Sequence, residues 1–157
     1  MLYCFKCRTE YEEQLMDVLE DKYGHFSCPN IDCGEHLMDI DENLVPVVQC
    51  FIDNHIPVIS ARASSITNDK PGCIMFASFN HRSPEAIVPI LLEISMRLPK
   101  GFRFETDSAR KIAFSPKIYF PERKRSDYKT LLSYQNALIR DIIVFGNCVS
   151  EYFRKEV

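Results

Sequence analysis

The chain has 157 residues, of which 46% are hydrophobic and 26% are charged, and its formal net charge is −3. These values are typical of a soluble globular protein, and no stretch approaches the ~18 unbroken apolar residues that a membrane-spanning helix needs. The N-terminus lacks a basic segment followed by an apolar one, so we expect no secretory signal and a cytoplasmic location.

The charge is distributed unevenly along the chain. Residues 1–60 carry twelve acidic and three basic side chains, residues 61–96 carry three of each, and residues 97–157 carry thirteen basic and seven acidic ones. The formal charge therefore runs from −9 at one end to +6 at the other. A gradient of this kind favours binding to an oppositely charged partner.

Two close cysteine pairs lie near the N-terminus, one spaced Cys-x-x-Cys and the other with four residues between its cysteines. Each pair can fold as a tight turn that directs two thiolates at one point. Asn30, Asp32 and Gly34 suit the longer turn, because these residue types tolerate left-handed backbone. Four thiolates suit a tetrahedral Zn²⁺ ion with no open position, which is a structural site. We predict that Zn²⁺ is held by Cys4, Cys7, Cys28 and Cys33.

Two alternatives to the four-cysteine set remain open. His25 or His36, which flank the second pair, could replace one thiol. A redox-active Cys-x-x-Cys would require a strand before the first pair and a helix after it, which a motif at residue 4 does not fit. Three further cysteines lie in apolar settings and are expected to be buried free thiols, which fits a reducing compartment: Cys50, Cys73 and Cys148.

The hydrophobic pattern predicts two domains and an α+β fold. Residues 1–42 form a zinc ribbon with a helix over residues 13–22 inserted between its halves. Residues 43–157 form a two-layer α/β sandwich in the order α-β-β-α-β-β-α, ending in a long C-terminal helix. The predicted strands cover residues 58–61, 72–78, 101–106, 111–115 and 117–120.

The sequence predicts the capping residues of two helices and the role of one glycine. Asp41 or Asn43 is expected to cap the first helix of the sandwich, and Ser126 or Asp127 the last one. Gly146, inside that last helix, is expected to mark a close packing contact.

The segment 28–60 carries a family resemblance. Its text, Cys-Pro-Asn-Ile-Asp-Cys-Gly-Glu-His-Leu-Met-Asp-Ile-Asp-Glu-Asn-Leu-Val-Pro-Val-Val and onward, resembles small zinc-ribbon proteins of Firmicutes and their phages. Residues 74–76 and 99–102 match later parts of that pattern. Where the family has Cys-Ser-Gly-His, this chain has Ala-Arg-Ala-Ser-Ser at 61–65, so no metal or nucleophile role is expected there. The resemblance implies a bacterial or phage protein and no established activity.

The sequence contains no recognisable catalytic set. It lacks a glycine-rich phosphate loop and the His-Glu-x-x-His and Gly-x-Ser-x-Gly motifs. His81, Arg82 and Ser83 form the one loop in which His, Arg and Ser meet, and a polar turn with Ser83 as helix cap accounts for it. We therefore expect a protein without enzymatic activity, although an enzyme remains an open alternative.

The remaining prediction concerns a macromolecular partner. Our main expectation is a regulator or inhibitor that acts on a host protein, in the host cytoplasm if a phage encodes it. The alternative is a nucleic-acid-binding protein that uses the basic region 110–129. The pI of about 5.8 is lower than that of a dedicated nucleic-acid-binding protein. Homo-oligomerisation is compatible with the charge gradient, and no membrane partner is expected. The candidate contact residues are Arg110, Lys111, Lys117, Arg123, Lys124 and Arg125.

Overall fold

The computed structural model describes residues 1–12, 26–65, 70–77, 84–106 and 115–155. The predicted fold class is confirmed, because these residues form two antiparallel sheets and three α-helices. The chain divides into two compact units, Met1–Glu42 (unit 1) and Asn43–Val157 (unit 2). The predicted helix over 13–22 and nearly all of the predicted strand over 111–115 lie outside the described residues. No helix in the described segments combines the length and apolar character needed to cross a membrane.

Unit 1 is built on a three-stranded antiparallel sheet. Strand β1 (Leu2–Cys4) lies between β2 (Thr9–Tyr11) and β3 (Met38–Asp39). Leu2 pairs with Tyr11 on one side and with Asp39 on the other. Among the described residues, the buried cluster around the cysteines consists of Leu2, Cys4, Cys28 and Leu37.

Unit 2 contains a four-stranded antiparallel sheet and three helices. Its elements, in chain order, are α1 (Val45–Asp53), β4 (Val58–Arg62), β5 (Cys73–Phe76), α2 (Pro84–Arg97), β6 (Arg103–Glu105), β7 (Lys117–Tyr119) and α3 (Leu131–Lys155). The strands are ordered β4-β5-β7-β6 across the sheet. The two hairpins β4–β5 and β6–β7 therefore meet along β5 and β7.

One face of this sheet is buried by aromatic packing against α1 and α3. The ring of Phe145 on α3 lies 5.2 Å from that of Phe120 and 5.9 Å from that of Phe102, measured between centroids. Phe51 on α1 packs edge-on against Phe76 of β5 at 4.8 Å. Phe51, Phe76 and Phe145 are fully buried, so unit 2 has a continuous core of its own.

The opposite face, here called the outer sheet face, carries the alternate residues of the same strands. One row crosses all four strands, because Arg62 pairs with Cys73, Cys73 with Tyr119, and Tyr119 with Arg103. The next row is formed in the same way by Ser60, Met75, Lys117 and Glu105. Side chains of one row point to the same side of a sheet because the side-chain period of a strand is two residues.

Helix starts in unit 2 differ from those predicted. Helix α1 follows a 3₁₀ turn over Glu42–Leu44, and its N-cap is Leu44, which makes no side-chain capping hydrogen bond. The expected caps at Asp41 and Asn43 are therefore wrong. A tertiary reason is that Leu44 is fully buried and held by the core.

The C-terminal helix begins later than predicted. Ser126 and Asp127 lie in a separate 3₁₀ turn over Arg125–Asp127. The hydroxyl of Thr130 instead accepts the backbone N–H of Ser133 at 3.1 Å and so caps α3.

Candidate metal centre and partner surfaces

The structure brings the four predicted cysteines of unit 1 together. Their Sγ atoms all lie within 4.8 Å of one another. The Sγ atoms of Cys4 and Cys33 are 3.6 Å apart, and those of Cys7 and Cys28 are 3.8 Å apart. These distances far exceed the ~2.05 Å of a disulfide bond, and all four thiols are free. This cysteine cluster could therefore hold a metal ion.

Backbone turns direct the first cysteine pair. Cys4 ends β1, and the backbone N–H of Cys7 donates to the Cys4 sulfur at 3.4 Å. Arg8 then adopts a left-handed conformation with φ of 54°, which returns the chain into β2. A non-glycine residue in this region costs ~1 kcal/mol or more, so the turn is held against a local preference.

The second pair uses the turn chemistry that the sequence predicts. The Asn30 side-chain oxygen accepts the N–H of Asp32 at 3.2 Å, and the Asn30 carbonyl accepts the N–H of Cys33 at 3.0 Å. Gly34 follows with φ of 65°, where glycine carries no steric penalty. Both turns therefore end on a left-handed residue directly after the second cysteine.

Among the described residues, two side chains outside the cysteine set contact the sulfurs, and the sequence pattern predicts neither contact. The Tyr11 hydroxyl lies 3.4 Å from the Cys28 sulfur, and the Asn30 amide donates to the Cys7 sulfur at 3.5 Å. Tyr11 reaches the cluster because β2 pairs with β1. A strand predicted directly after the first cysteine turn would have indicated this contact. Such contacts orient sulfur ligands and stabilise their ionised form.

The thiols differ in their protonation. Burial raises the pKa of Cys4 to about 12. Hydrogen bonding with Cys33, together with burial, raises the pKa of Cys7. Burial opposes ionisation of Cys28 as well, but hydrogen bonds from Tyr11 and the Asn30 backbone outweigh it and lower its pKa to about 7. Cys28 therefore becomes a thiolate more readily than Cys4 or Cys7 does.

The structure describes one of the two histidines that could replace a cysteine as a metal ligand. Within the described residues, the cluster that could hold an ion consists of cysteines alone. His36 is exposed and forms an isolated β-bridge with Ser27. His25 lies outside the described residues, as does the loop containing His81, Arg82 and Ser83.

Among the described residues, the predicted basic contacts divide between strand β7 and the segment before α3. Arg110 and Lys111 lie outside the described residues. Lys117 is in β7 on the outer sheet face, and Lys124 is exposed. Arg125 donates to the backbone carbonyl of Tyr128 at 2.8 Å. The role of these residues in partner binding stays a prediction.

Arg123 has an internal structural role. Its guanidinium makes two hydrogen bonds to the buried carboxylate of Asp141, one of them at 2.7 Å, and donates to the Tyr128 hydroxyl at 2.9 Å. The hydrogen bonds to Asp141 raise the pKa of Arg123 above its ordinary value, and burial acts in the opposite sense. This bidentate ion pair connects the loop before α3 to the helix itself.

The outer sheet face carries basic residues that the sequence analysis did not single out. Arg62 and Arg103 are exposed at its two edge strands, and the Arg103 guanidinium lies 4.5 Å from the centroid of the Tyr119 ring. The alternation of 101–106 indicates that Arg103 faces away from the core. The strand register that places it beside Tyr119 is a long-range property that spacing does not reveal.

A fully exposed apolar side chain lies in the turn between the second pair of cysteines. Ile31, between the second pair of cysteines, is 99% exposed. Its neighbours Asp32 and Glu35 are also exposed and acidic.

Comparison with known proteins gives little overlap. No family model matches the chain, and no solved structure matches it significantly. A short stretch of 58 residues is 36% identical to a protein of Danio rerio described as Izumo sperm-egg fusion protein 1. The match covers 34% of this chain and 17% of that protein, so it does not show a family. The resemblance to zinc-ribbon proteins of Firmicutes and their phages stays a prediction.

Proposed function

We propose that this chain is a non-enzymatic zinc-ribbon protein that binds a protein partner through unit 1. The observation that carries the proposal is the cysteine cluster, with four free sulfurs within 4.8 Å of one another. A metal bound by four cysteines stiffens a small unit and leaves no coordination position for a substrate. Binding therefore fits this site better than catalysis does.

Zinc is the ion that fits the donor set best. Four sulfurs at about 2.3 Å from a tetrahedral ion lie about 3.8 Å from one another. The two short contacts in the cluster, at 3.6 and 3.8 Å, match that spacing. Soft thiolate ligands in tetrahedral arrangement select Zn²⁺ or iron over hard cations such as Mg²⁺ and Ca²⁺. When bound, the ion supplies a cross-link between the two turns.

The metal proposal is tested by composition and spectroscopy. We expect one zinc ion per chain after purification without added metal, and a tetrahedral all-sulfur absorption spectrum after exchange with Co²⁺. The Cys28→Ser variant should lose this spectrum, whereas the matched control Cys148→Ser, a thiol of unit 2, should keep it. An octahedral cobalt spectrum, or an iron–sulfur chromophore in the purified protein, would overturn the assignment.

Ile31 and its surroundings support a protein partner. The side chain is held outward on a turn fixed by the Asn30 hydrogen bonds, so little conformational freedom is lost when it is buried. Residues 1–42 carry eleven acidic and three basic side chains, and four thiolates around Zn²⁺ add about two negative charges. This chemistry fits an apolar pocket with a basic rim on the partner. The role we propose is regulation or inhibition of a host protein in the cytoplasm.

The partner proposal is tested by affinity capture of a binding protein from nuclease-treated host lysate. The yield obtained with the intact protein is compared with the yields obtained with its variants. The intact protein should retain a partner that Ile31→Asp loses, at equal zinc content. Ile143→Asp makes the same chemical change at a position of unit 2 that is 56% exposed, and it should not affect capture. If the Ile31 variant captures the same protein with undiminished yield, this turn is not the contact.

A further inference from the structure

The outer sheet face combines positive charge with one central aromatic ring. Its row Arg62–Cys73–Tyr119–Arg103 crosses the whole sheet and places an arginine on each edge strand. With strands about 4.8 Å apart, the two arginines are separated by roughly 14 Å. Lys117 lies in the adjacent row, beside Tyr119 on the same strand face.

The charges that act on Cys73 agree with this placement. Burial raises the pKa of the Cys73 thiol, and the positive charges of Arg62, Lys117 and Arg103 counteract the rise. Among the described residues, Glu105 is the one negative charge that raises this pKa further. Three cations and one anion of this face therefore act on the same thiol.

The Arg103–Tyr119 pair is arranged for stacking. The guanidinium carbon lies 4.5 Å from the centroid of the tyrosine ring, which is within the range of a cation–π contact. Tyr119 itself is half-buried and therefore held in place by its neighbours. Aromatic rings and arginine planes on open sheets are the surfaces on which unpaired bases stack.

We propose that the outer sheet face of unit 2 binds single-stranded nucleic acid. A base stacks on the Arg103–Tyr119 pair, while Arg62 and Lys117 contact the backbone phosphates on either side. A duplex is a poorer ligand, because its bases are already stacked and paired and cannot reach the ring. An acidic protein segment would satisfy the three cations but would leave the stacking pair unused. The proposal does not depend on the metal or on the partner of unit 1.

The test is fluorescence anisotropy of the full zinc-loaded chain with short labelled oligothymidine and oligouridine. Tyr119→Ala should weaken binding by roughly tenfold, whereas Tyr119→Phe, which keeps the ring, should retain it. Arg103→Lys keeps the charge but removes the planar group, so it should weaken binding measurably. Removing Lys117 should lower the slope of log affinity against log salt by about 0.7.

A matched charge control separates this face from nonspecific attraction. Arg62→Glu should weaken binding strongly, whereas Arg154→Glu, the same change at an exposed position on α3, should affect it little. The proposal is overturned if neither oligonucleotide binds, or if the two glutamate variants weaken binding equally. It is also overturned if duplex DNA or polyglutamate binds as tightly as the single strands. Circular dichroism of each variant confirms that the fold is retained.

Discussion

The two units of this chain are stabilised by different means. Among the described residues of unit 1, two of the four in the buried cluster are cysteines, and its two aliphatic members are Leu2 and Leu37. In unit 2, Phe51, Phe76 and Phe145 are fully buried in a continuous aromatic core. A unit of about 40 residues rarely has enough apolar surface to fold alone, whereas one of about 115 does. The comparison predicts that unit 1 depends on a metal held by the cysteine cluster, whereas packing stabilises unit 2.

The variant with the largest expected effect should unfold unit 1 and leave unit 2 folded. Cys28→Ser removes a predicted metal ligand whose pKa is lowered to about 7, and we expect it to abolish stable metal binding and to unfold unit 1. Unit 2 should remain folded because the four cysteines of the cluster all belong to unit 1 and the aromatic core of unit 2 is separate from them. Amide hydrogen exchange measures both, with protection lost in residues 1–42 and kept in α3. Loss of protection throughout the chain would contradict the division.

Acidification should also weaken metal binding by unit 1. Metal binding requires thiolates, and in the metal-free protein Cys4 and Cys7 have raised pKa values and so carry protons at neutral pH. Binding releases at least these two protons, so affinity falls at least about a hundredfold for each pH unit lost. Below about pH 7 the proton of Cys28 adds to this loss. Competition with a chelator at several pH values measures the slope, and an affinity independent of pH would contradict it.

A substitution in the core of unit 2 should lower the stability of that unit and leave the metal site of unit 1 intact. Phe145→Ala removes a ring that contacts Phe51, Phe102 and Phe120, and it should lower the free energy of unfolding of unit 2 by about 3–5 kcal/mol. Zinc content should be unchanged. Chemical denaturation gives the first quantity and metal analysis the second. A variant that loses zinc together with stability would show that the units are coupled.

The Arg123–Asp141 ion pair should have an intermediate effect. Arg123→Ala leaves the buried Asp141 carboxylate without its charged partner, which should cost about 2 kcal/mol in unit 2. Arg140→Ala, an exposed arginine one residue before Asp141, is the control and should change stability by less than about 0.5 kcal/mol. Equal effects of the two variants would mean that the ion pair contributes nothing specific.

Two glycine-to-alanine substitutions should give the smallest effects, with opposite signs. Gly34→Ala puts a side chain on left-handed backbone and should weaken unit 1 by about 1 kcal/mol. Gly146→Ala should stabilise unit 2 by about 0.5–1 kcal/mol, because a Cβ there meets nothing within 4 Å among the described residues. The expected packing contact at Gly146 is therefore wrong. Thermal unfolding of both variants tests the signs.

Features that depend on neighbours in sequence were predictable. The spacing of the cysteines predicts that they meet, and Asn30 and Gly34 form the turn that their residue types favour. The alternation of 101–106 separates Phe102, in the core, from Arg103, outside it. Each of these features is local, so it is encoded within a few residues.

Features that depend on pairing between distant segments were not predictable. The row joining Arg62 to Arg103 results from the register of four strands, and no local pattern contains it. The capping of α1 failed for a similar reason, because burial of Leu44 outweighs the preference of polar residues for that position. The ion pair of Arg123 with Asp141 joins residues 18 positions apart in two different elements. The local sequence of the basic loop therefore did not indicate that Arg123 is paired within the protein.

The contacts between the two cysteine pairs have a consequence for engineering. Cys7 and Cys28 lie side by side although they are 21 positions apart in the sequence, so their contact closes a ring in the chain. Doubling the length of a flexible loop costs only about 0.6 kcal/mol in closure entropy. We therefore expect a peptide inserted between Glu12 and Phe26 to weaken the contact between the two cysteines only slightly.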